Sequence, residues 1–314
     1  MTKFYQGIRD ALEGRVPFAL GLITRVRGSS PQKNGAKALF FADGRIAGTL
    51  GGGCLEAEIQ DRARRALRTG EPARFDLVLD HDFGWDDGLI CGGRVSGLIL
   101  PRANEAAPLW HELAAPNRAV TWGVRADYSI AWDEEPGADW LYAETVCPPV
   151  ALWIAGAGHV AQAVVPLARN LGFDPTVFDD RASMAGFFPA GTRFEHGPWE
   201  SLLARDLPDR PAFGLILTRG HQHDARVLAR WIGKPFAFLG MIGSRRKRRI
   251  IMEELEREGI ATRERLEKVA CPVGVEIGAV SVAEIGVSIV AQLVAERARL
   301  AAEAASPGGL HGRR

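Results

Sequence analysis

Apolar and polar positions follow two different rhythms along this chain, and the change between them divides it. In the first part, β-type runs dominate. Residues 16–25, 36–41, 45–49, 74–79 and 94–100 are apolar or alternating, and an Ala42-Asp-Gly-Arg45 turn joins the second run to the third. One helical stripe interrupts them. Leu55, Ile59, Ala63, Ala66 and Leu67 recur at helical spacing over 55–68, leaving Arg62, Arg64, Arg65 and Arg68 as a solvated face. Residues 80–88 form a polar, glycine-punctuated loop, and 103–147 carry tryptophans and short β-like runs without a readable motif.

Beyond Cys147-Pro-Pro149, where two prolines can continue neither a ladder nor a helix, strand and helix alternate. A buried-strand run at 150–155 leads into a helical pattern ending at Asn170, followed by strands at 175–178, 214–218 and 237–241. A last helix spans 282–302. Ser281 and Glu284 form its capping box, and Ile285, Ile289, Leu293 and Ala295 supply its apolar face. The pattern predicts an α/β chain: a strand-rich α+β amino-terminal domain over 1–147, a Rossmann-like doubly wound parallel sheet over 148–305, and a flexible breaker-rich tail over 306–314.

Composition narrows the classes of function. The 39 basic and 38 acidic side chains among 314 residues nearly cancel, so no long-range attraction to nucleic acid follows. No apolar stretch approaches the roughly 20 residues needed to cross a membrane, and residues 1–10 lack an apolar signal core, so the cytoplasm is the expected compartment. Four cysteines at 54, 91, 147 and 271 form no CxxC pair and read as reduced thiols, which argues against structural zinc. A two-fold homodimer is the default oligomer, with the apolar carboxyl-terminal helix as its support.

Two glycine-rich segments carry the chemistry. In the first, Gly51, Gly52 and Gly53 precede Cys54 at the start of the 55–68 helix, so turned-in backbone N–H groups and the positive helix end suit an anion. The same field favours thiolate at Cys54, which makes it a candidate soft-metal ligand or sulfur carrier; the plain alternative is a tight turn beside a small buried hydrophobe. Cys91, beside a second Gly-Gly pair, is the other thiol candidate, whereas Cys147 and Cys271 adjoin prolines and read as structural. The second segment, Gly156-Ala-Gly158-His159-Val-Ala161, follows a strand and opens a helix, and Asp179-Asp-Arg181 lies about 20 residues further on, as in dinucleotide sites. Two loops belong to the same sheet edge. They are Arg219-Gly-His221-Gln-His223-Asp224 and Gly243-Ser244-Arg245-Arg-Lys-Arg248, plausible for anion contacts through His221, Ser244 and Arg245 or simply as capped turns and a solvated basic face.

These marks together resemble the xanthine dehydrogenase accessory protein family, whose relatives also serve carbon monoxide dehydrogenase-type molybdenum hydroxylases. The resemblance rests on Arg27-Gly-Ser-Ser-Pro31, Gly51-Gly-Gly-Cys-Leu-Glu56, Cys91-Gly-Gly93, Gly156-Ala-Gly-His-Val160, Asp179-Asp-Arg181, Gly240-Met-Ile-Gly-Ser-Arg-Arg246 and Glu276-Ile-Gly278, and so spans both halves. It implies a maturation chaperone rather than an enzyme. Such a protein binds molybdenum cofactor (molybdopterin), holds it while a cysteine desulfurase partner installs the terminal sulfur, and inserts it into an apo molybdenum hydroxylase of the xanthine dehydrogenase type. The residues suit that cargo, with Gly156 and Gly158 for the phosphate, Asp179 or His159 for the pterin, and Cys54 towards molybdenum.

Two other readings compete. An NAD(P)-dependent oxidoreductase would use Gly156 to Ala161 and Asp179 for pyrophosphate and ribose, with His221 or His223 as proton donor, and would leave Cys54 idle. A purely structural binding partner would have no small-molecule affinity.

Overall fold

The computed structural model describes residues 2–30, 32–79 and 93–305, and the chain divides into two compact units, Met1–Pro148 and Pro149–Arg314.

The first unit opens with α1 (Thr2–Glu13), β1 (Phe18–Arg27), β2 (Lys37–Phe41) and β3 (Ile46–Gly48). Helix α2 (Gly53–Thr69) follows, then β4 (Ala73–Leu79) and β5 (Gly93–Leu100). The five strands form one antiparallel sheet in the order β3-β2-β1-β5-β4. Its central strand explains the apolar run that marks it in the sequence. Successive β1 side chains point to opposite faces, and both faces are covered. Ala19 and Ile23 pack with Ile59 and Ala63 of α2, Phe40, Phe75 and Ile99; Leu20 and Leu22 pack on the other side with Leu39, Leu98, Trp110 and Trp122.

The segment 103–147, which carries no motif in the sequence, builds that second layer. A 3₁₀ turn (Ala103–Ala106) and α3 (Ala107–Ala114) precede a small antiparallel sheet of β6 (Val120–Arg125), β7 (Ile130–Trp132) and β8 (Trp140–Val146), in the order β7-β6-β8. Helix α1, which the sequence pattern does not announce, lies against α3 and buries Tyr5 and Ile8 in the same cluster. The expected loop at 80–88 and the tail at 306–314 fall outside the described residues.

The second unit alternates strand and helix throughout. It runs β9 (Ala151–Ala155), α4 (His159–Asn170), β10 (Asp174–Asp179), a 3₁₀ segment (Ala182–Phe187), β11 (Arg193–His196) and α5 (Trp199–Ala204). Then come β12 (Ala212–Ile216), α6 (His221–Trp231), β13 (Phe238–Met241), α7 (Arg245–Arg257), α8 (Arg263–Glu267) and α9 (Val282–Ala305). All five strands are parallel, in the order β11-β10-β9-β12-β13, and Ala270 bridges Gly240 to extend the sheet beyond β13. This is the expected doubly wound, Rossmann-type sheet.

Alternation along β9 builds both layers. Leu152 and Ile154 meet Val164 and Ala168 of α4 and Ile289 and Leu293 of α9, whereas Trp153 and Ala155 meet Trp231 of α6 and Ile251 of α7. At the start of α9 the capping box forms in both directions: Ser281 N–H donates to Glu284 Oε2 at 2.7 Å, and Glu284 N–H to Ser281 Oγ at 3.2 Å. Ala295 departs from the expected apolar face. It lies two residues past Leu293, about 200° around the helix, and is exposed.

Candidate functional site

The amino-terminal glycine turn is built as an anion cradle, and its anion belongs to the protein. Gly51, Gly52 and Gly53 all take positive φ (128°, 75° and 57°), a run open to glycine and costly for other residues. Glu56, in the first turn of α2, folds its carboxylate back into the turn they make. Its Oε1 accepts the Thr49 hydroxyl at 2.5 Å, Leu50 N–H at 2.8 Å and Gly52 N–H at 3.1 Å, while Gly51 N–H donates to Thr49 Oγ1 at 3.1 Å. Partial burial works against the Glu56 charge. The hydrogen bonds from Thr49, Leu50, Gly52 and Gly51 outweigh it and hold the carboxyl below its ordinary range. Cys54 is the second residue of α2, so the clamp sets the backbone that carries the thiol.

Cys91 falls outside the described residues. The last residue of its motif, Gly93, begins β5 directly against the backbone of Ser29, where an added Cβ would come within 1.9 Å of the Ser29 carbonyl oxygen. Ser29 and Gly93, one described residue from each of the two marks, therefore meet in space beside the Arg27–Arg94 register of β1 and β5.

In the second unit the loops after β10, β9, β12 and β13 stand along one sheet edge. Strand order reverses direction between β9 and β12, the place where doubly wound sheets open a crevice. Gly156 makes the tight turn, with φ 104° and no room for a side chain, since a Cβ would lie 2.4 Å from the Leu217 carbonyl oxygen. Gly158 differs. It caps α4 in an extended conformation and faces open space, and His159, the first helical residue, is exposed.

Asp179 is buried beneath this turn with every acceptor position taken. Its Oδ2 accepts Ala157 N–H at 2.8 Å and Arg181 Nη2 at 3.0 Å; its Oδ1 accepts Arg181 N–H at 3.0 Å and Arg181 Nε at 2.8 Å. Burial opposes the charge, and the bonds from Arg181 and Ala157 override it, so the carboxyl stays below its usual range. An ionised carboxylate offers about four acceptor sites, all of which are used here within the protein. Asp180, next along, pairs with Arg219 at 2.7 Å and so ties the loop after β10 to the loop after β12.

His221 and Ser244 come together on the other side of the crevice. His221 is the exposed first residue of α6, which makes residues 221–224 a helical turn rather than the loop expected from sequence. Ser244 caps α7, accepting Lys247 N–H at 3.1 Å, and Arg245 is the exposed first residue of that helix. Sequence reasoning missed what joins the two helices. The Lys247 ammonium bonds the fully buried Asp224 carboxylate, which also accepts the Thr218 hydroxyl at 2.6 Å. In the sequence, Lys247 is one cation in a run of five, 245–249, and only the sheet order brings it to Asp224.

Among the described residues, no group of three His, Cys, Asp or Glu side chains converges to hold a metal ion, and no helix is long and apolar enough to cross a membrane.

A family model described as the XdhC Rossmann domain matches residues 152–293, and a model described as the XdhC and CoxI family matches residues 11–80. The chain is 29% identical over 300 residues to the uncharacterized protein YqeB of Escherichia coli (strain K12), an alignment that covers 95% of this chain and 46% of that protein. It therefore spans less than half the length of that relative. It is 26% identical over 305 residues to the molybdenum cofactor insertion chaperone PaoD of Escherichia coli (strain K12), covering 92% of this chain and 86% of that one. It is also 23% identical over 337 residues to a protein of Bacillus subtilis (strain 168) named as a probable subunit of xanthine dehydrogenase, covering 96% and 99%. A crystal structure described as a xanthine dehydrogenase from Bacillus halodurans superposes with a TM-score of 0.81 at 25% identity, covering 97% of this chain and 98% of that one. With a family model matched in each compact unit, and relatives aligned along more than nine-tenths of its length, the chain belongs to the XdhC and CoxI family.

Proposed function

We propose that this protein binds molybdenum cofactor as cargo, holds it while a cysteine desulfurase installs the terminal sulfur ligand, and delivers it to an apo molybdenum hydroxylase of the xanthine dehydrogenase type. The observation that carries the reading is the relationship, along 92% of the chain, to a protein named as a molybdenum cofactor insertion chaperone. Two structural features support it. The glycine turn at 51–53 is clamped immediately before Cys54, the second residue of α2, and in this reading that residue is the one that faces molybdenum or carries sulfur. The second is the state of Asp179. The oxidoreductase reading needs this carboxylate for ribose hydroxyls, and its four acceptor positions are filled by Ala157 and Arg181, which also takes Asp179 out of the pterin contact expected of it from sequence and leaves His159 for that role.

Protein purified from a host that makes the cofactor is expected to carry pterin and molybdenum together, read by pterin fluorescence after oxidation and by metal analysis. Cys54→Ala is expected to keep the wild-type melting temperature but lose most sulfurated cofactor. A wild-type protein free of pterin would overturn the cargo, and a variant that retains sulfurated cofactor normally would remove Cys54 from its role.

A further inference from the structure

Helices α6 and α7 leave the neighbouring parallel strands β12 and β13, so both begin at the sheet's carboxyl edge with unsatisfied N–H groups turned outward. The Lys247–Asp224 pair locks their starts together and consumes one cation of the basic run. Others stay available. Arg245 and Arg246 are exposed and engage no carboxylate among the described residues. Ser244, having accepted Lys247 N–H, keeps its hydroxyl proton for another partner.

Beside these donors lies a cavity of about 680 Å³, lined by His221, Ser244 and Arg246 at one end, by Ala225 and Ile250 along its length, and by Glu254 at the other. Its size is that of small-molecule sites, roughly 300 to 1,000 Å³. The charges are segregated. Ser244 and Glu254 stand ten residues apart on one helix, about 15 Å along its axis, so the groove offers hydrogen-bond donors and positive charge at one end, aliphatic surface between, and a carboxylate at the other. The glycine turn at 156–158 is less suited to an anion, because the Ala157 N–H is already held by the buried Asp179 carboxylate.

We propose that this groove anchors a phosphate ester whose planar ring presents adjacent N–H donors, the chemistry shared by pterins and guanine. The phosphate sits between the Ser244 hydroxyl and the Arg246 guanidinium at the start of α7, the ring lies over Ala225 and Ile250, and its donor edge meets Glu254. The inference rests on the chaperone reading only for the natural ligand; the anion and donor-edge selectivity belong to the groove itself.

Calorimetric titration near 0.15 M salt with inorganic phosphate, AMP, GMP and a pterin monophosphate tests it. Phosphate alone is expected to bind most weakly, and GMP and the pterin monophosphate more tightly than AMP, whose ring lacks the paired donors. The tighter of those two identifies the source of the ring. Arg246→Ala is expected to weaken every phosphate ester roughly tenfold or more. Glu254→Gln should weaken GMP and the pterin ester while leaving AMP unchanged. Absent binding, indifference to Arg246→Ala, or an unaltered GMP-to-AMP ratio in Glu254→Gln would overturn the groove. The two readings fail separately. GMP binding that follows this pattern in a protein that never carries pterin would remove the cargo and keep the groove, whereas copurified pterin with binding indifferent to Arg246 would do the reverse.

Discussion

Glu56 shows how much one side chain can decide. Its carboxylate satisfies the hydroxyl of Thr49 and the N–H groups of Leu50 and Gly52, in a turn whose three glycines cannot cap α2 with side chains of their own. Glu56→Ala is expected to cost about 1–2 kcal/mol at pH 7, the usual scale for a lost helix cap, with Glu56→Gln intermediate because its carbonyl still accepts. The pH dependence has a definite sign. The folded pKa lies below the ordinary 4.5 of an unfolded glutamate, so the clamp contributes fully above that value and is lost as pH falls through the folded one. Denaturation curves of wild type and Glu56→Ala should therefore converge in acid and separate at neutral pH. A gap that stayed constant across that range would show that the charge is not what holds the turn.

The sequence makes the glycine cradle legible but not its occupant. A triple glycine before an amphipathic helix announces turned-in N–H groups, and Glu56 sits within the same motif, yet periodicity alone cannot say whether a nearby acid points out to solvent or back into the turn. Asp179 is legible in the same partial way. Its distance from Gly156 marks a ribose-binding acid, whereas the fold gives it to Ala157 and Arg181.

At the scale of elements, the parallel sheet of the second unit can be read from sequence because its strands are buried on both faces and stand out as apolar runs. The layer formed by residues 103–147 cannot. Its organisation depends on partners far away in the chain: Glu144 accepts the hydroxyl of Tyr5, 139 residues distant, the indole N–H of Trp122, and the ammonium of Lys37 from β2. No local pattern encodes such a cluster. Strand β11 escapes for another reason, since Arg193 to His196 is an edge strand with few buried side chains.

The junction of α6 and α7 is the element-scale feature most open to a direct test. Lys247→Met leaves the fully buried Asp224 with only the Thr218 hydroxyl as its side-chain partner among the described residues, and should cost about 3 kcal/mol, the lower end for a broken buried pair. Adding Asp224→Asn removes the stranded charge and should restore part of that loss. Chemical denaturation of the two single variants and the double variant measures both quantities. Strict additivity would mean that the two side chains do not act as a pair.

At the scale of the whole molecule, the proposed function draws on both compact units, on the clamped turn before Cys54 in Met1–Pro148 and on the proposed groove at the start of α7 in Pro149–Arg314. A hydride-transfer enzyme would concentrate its reactive groups around the nicotinamide and would have no use for the clamped Cys54 turn. A carrier uses both, because molybdopterin joins a phosphate and a pterin to a soft metal centre. It also has a distinctive stoichiometry, since one cargo is handed over per event and nothing is multiplied.

The most direct measurement is therefore to mix a cofactor-deficient xanthine dehydrogenase-type apoenzyme with increasing amounts of this protein, its pterin and molybdenum contents determined beforehand, and to follow the active hydroxylase formed. Activity is expected to rise linearly with the pterin supplied and to level off when one cofactor has been delivered per apoenzyme site, with no NADH produced when NAD and candidate alcohols or hydroxy acids are added to the carrier alone. Activation by protein free of pterin, or many turnovers of NADH per chain, would contradict the account.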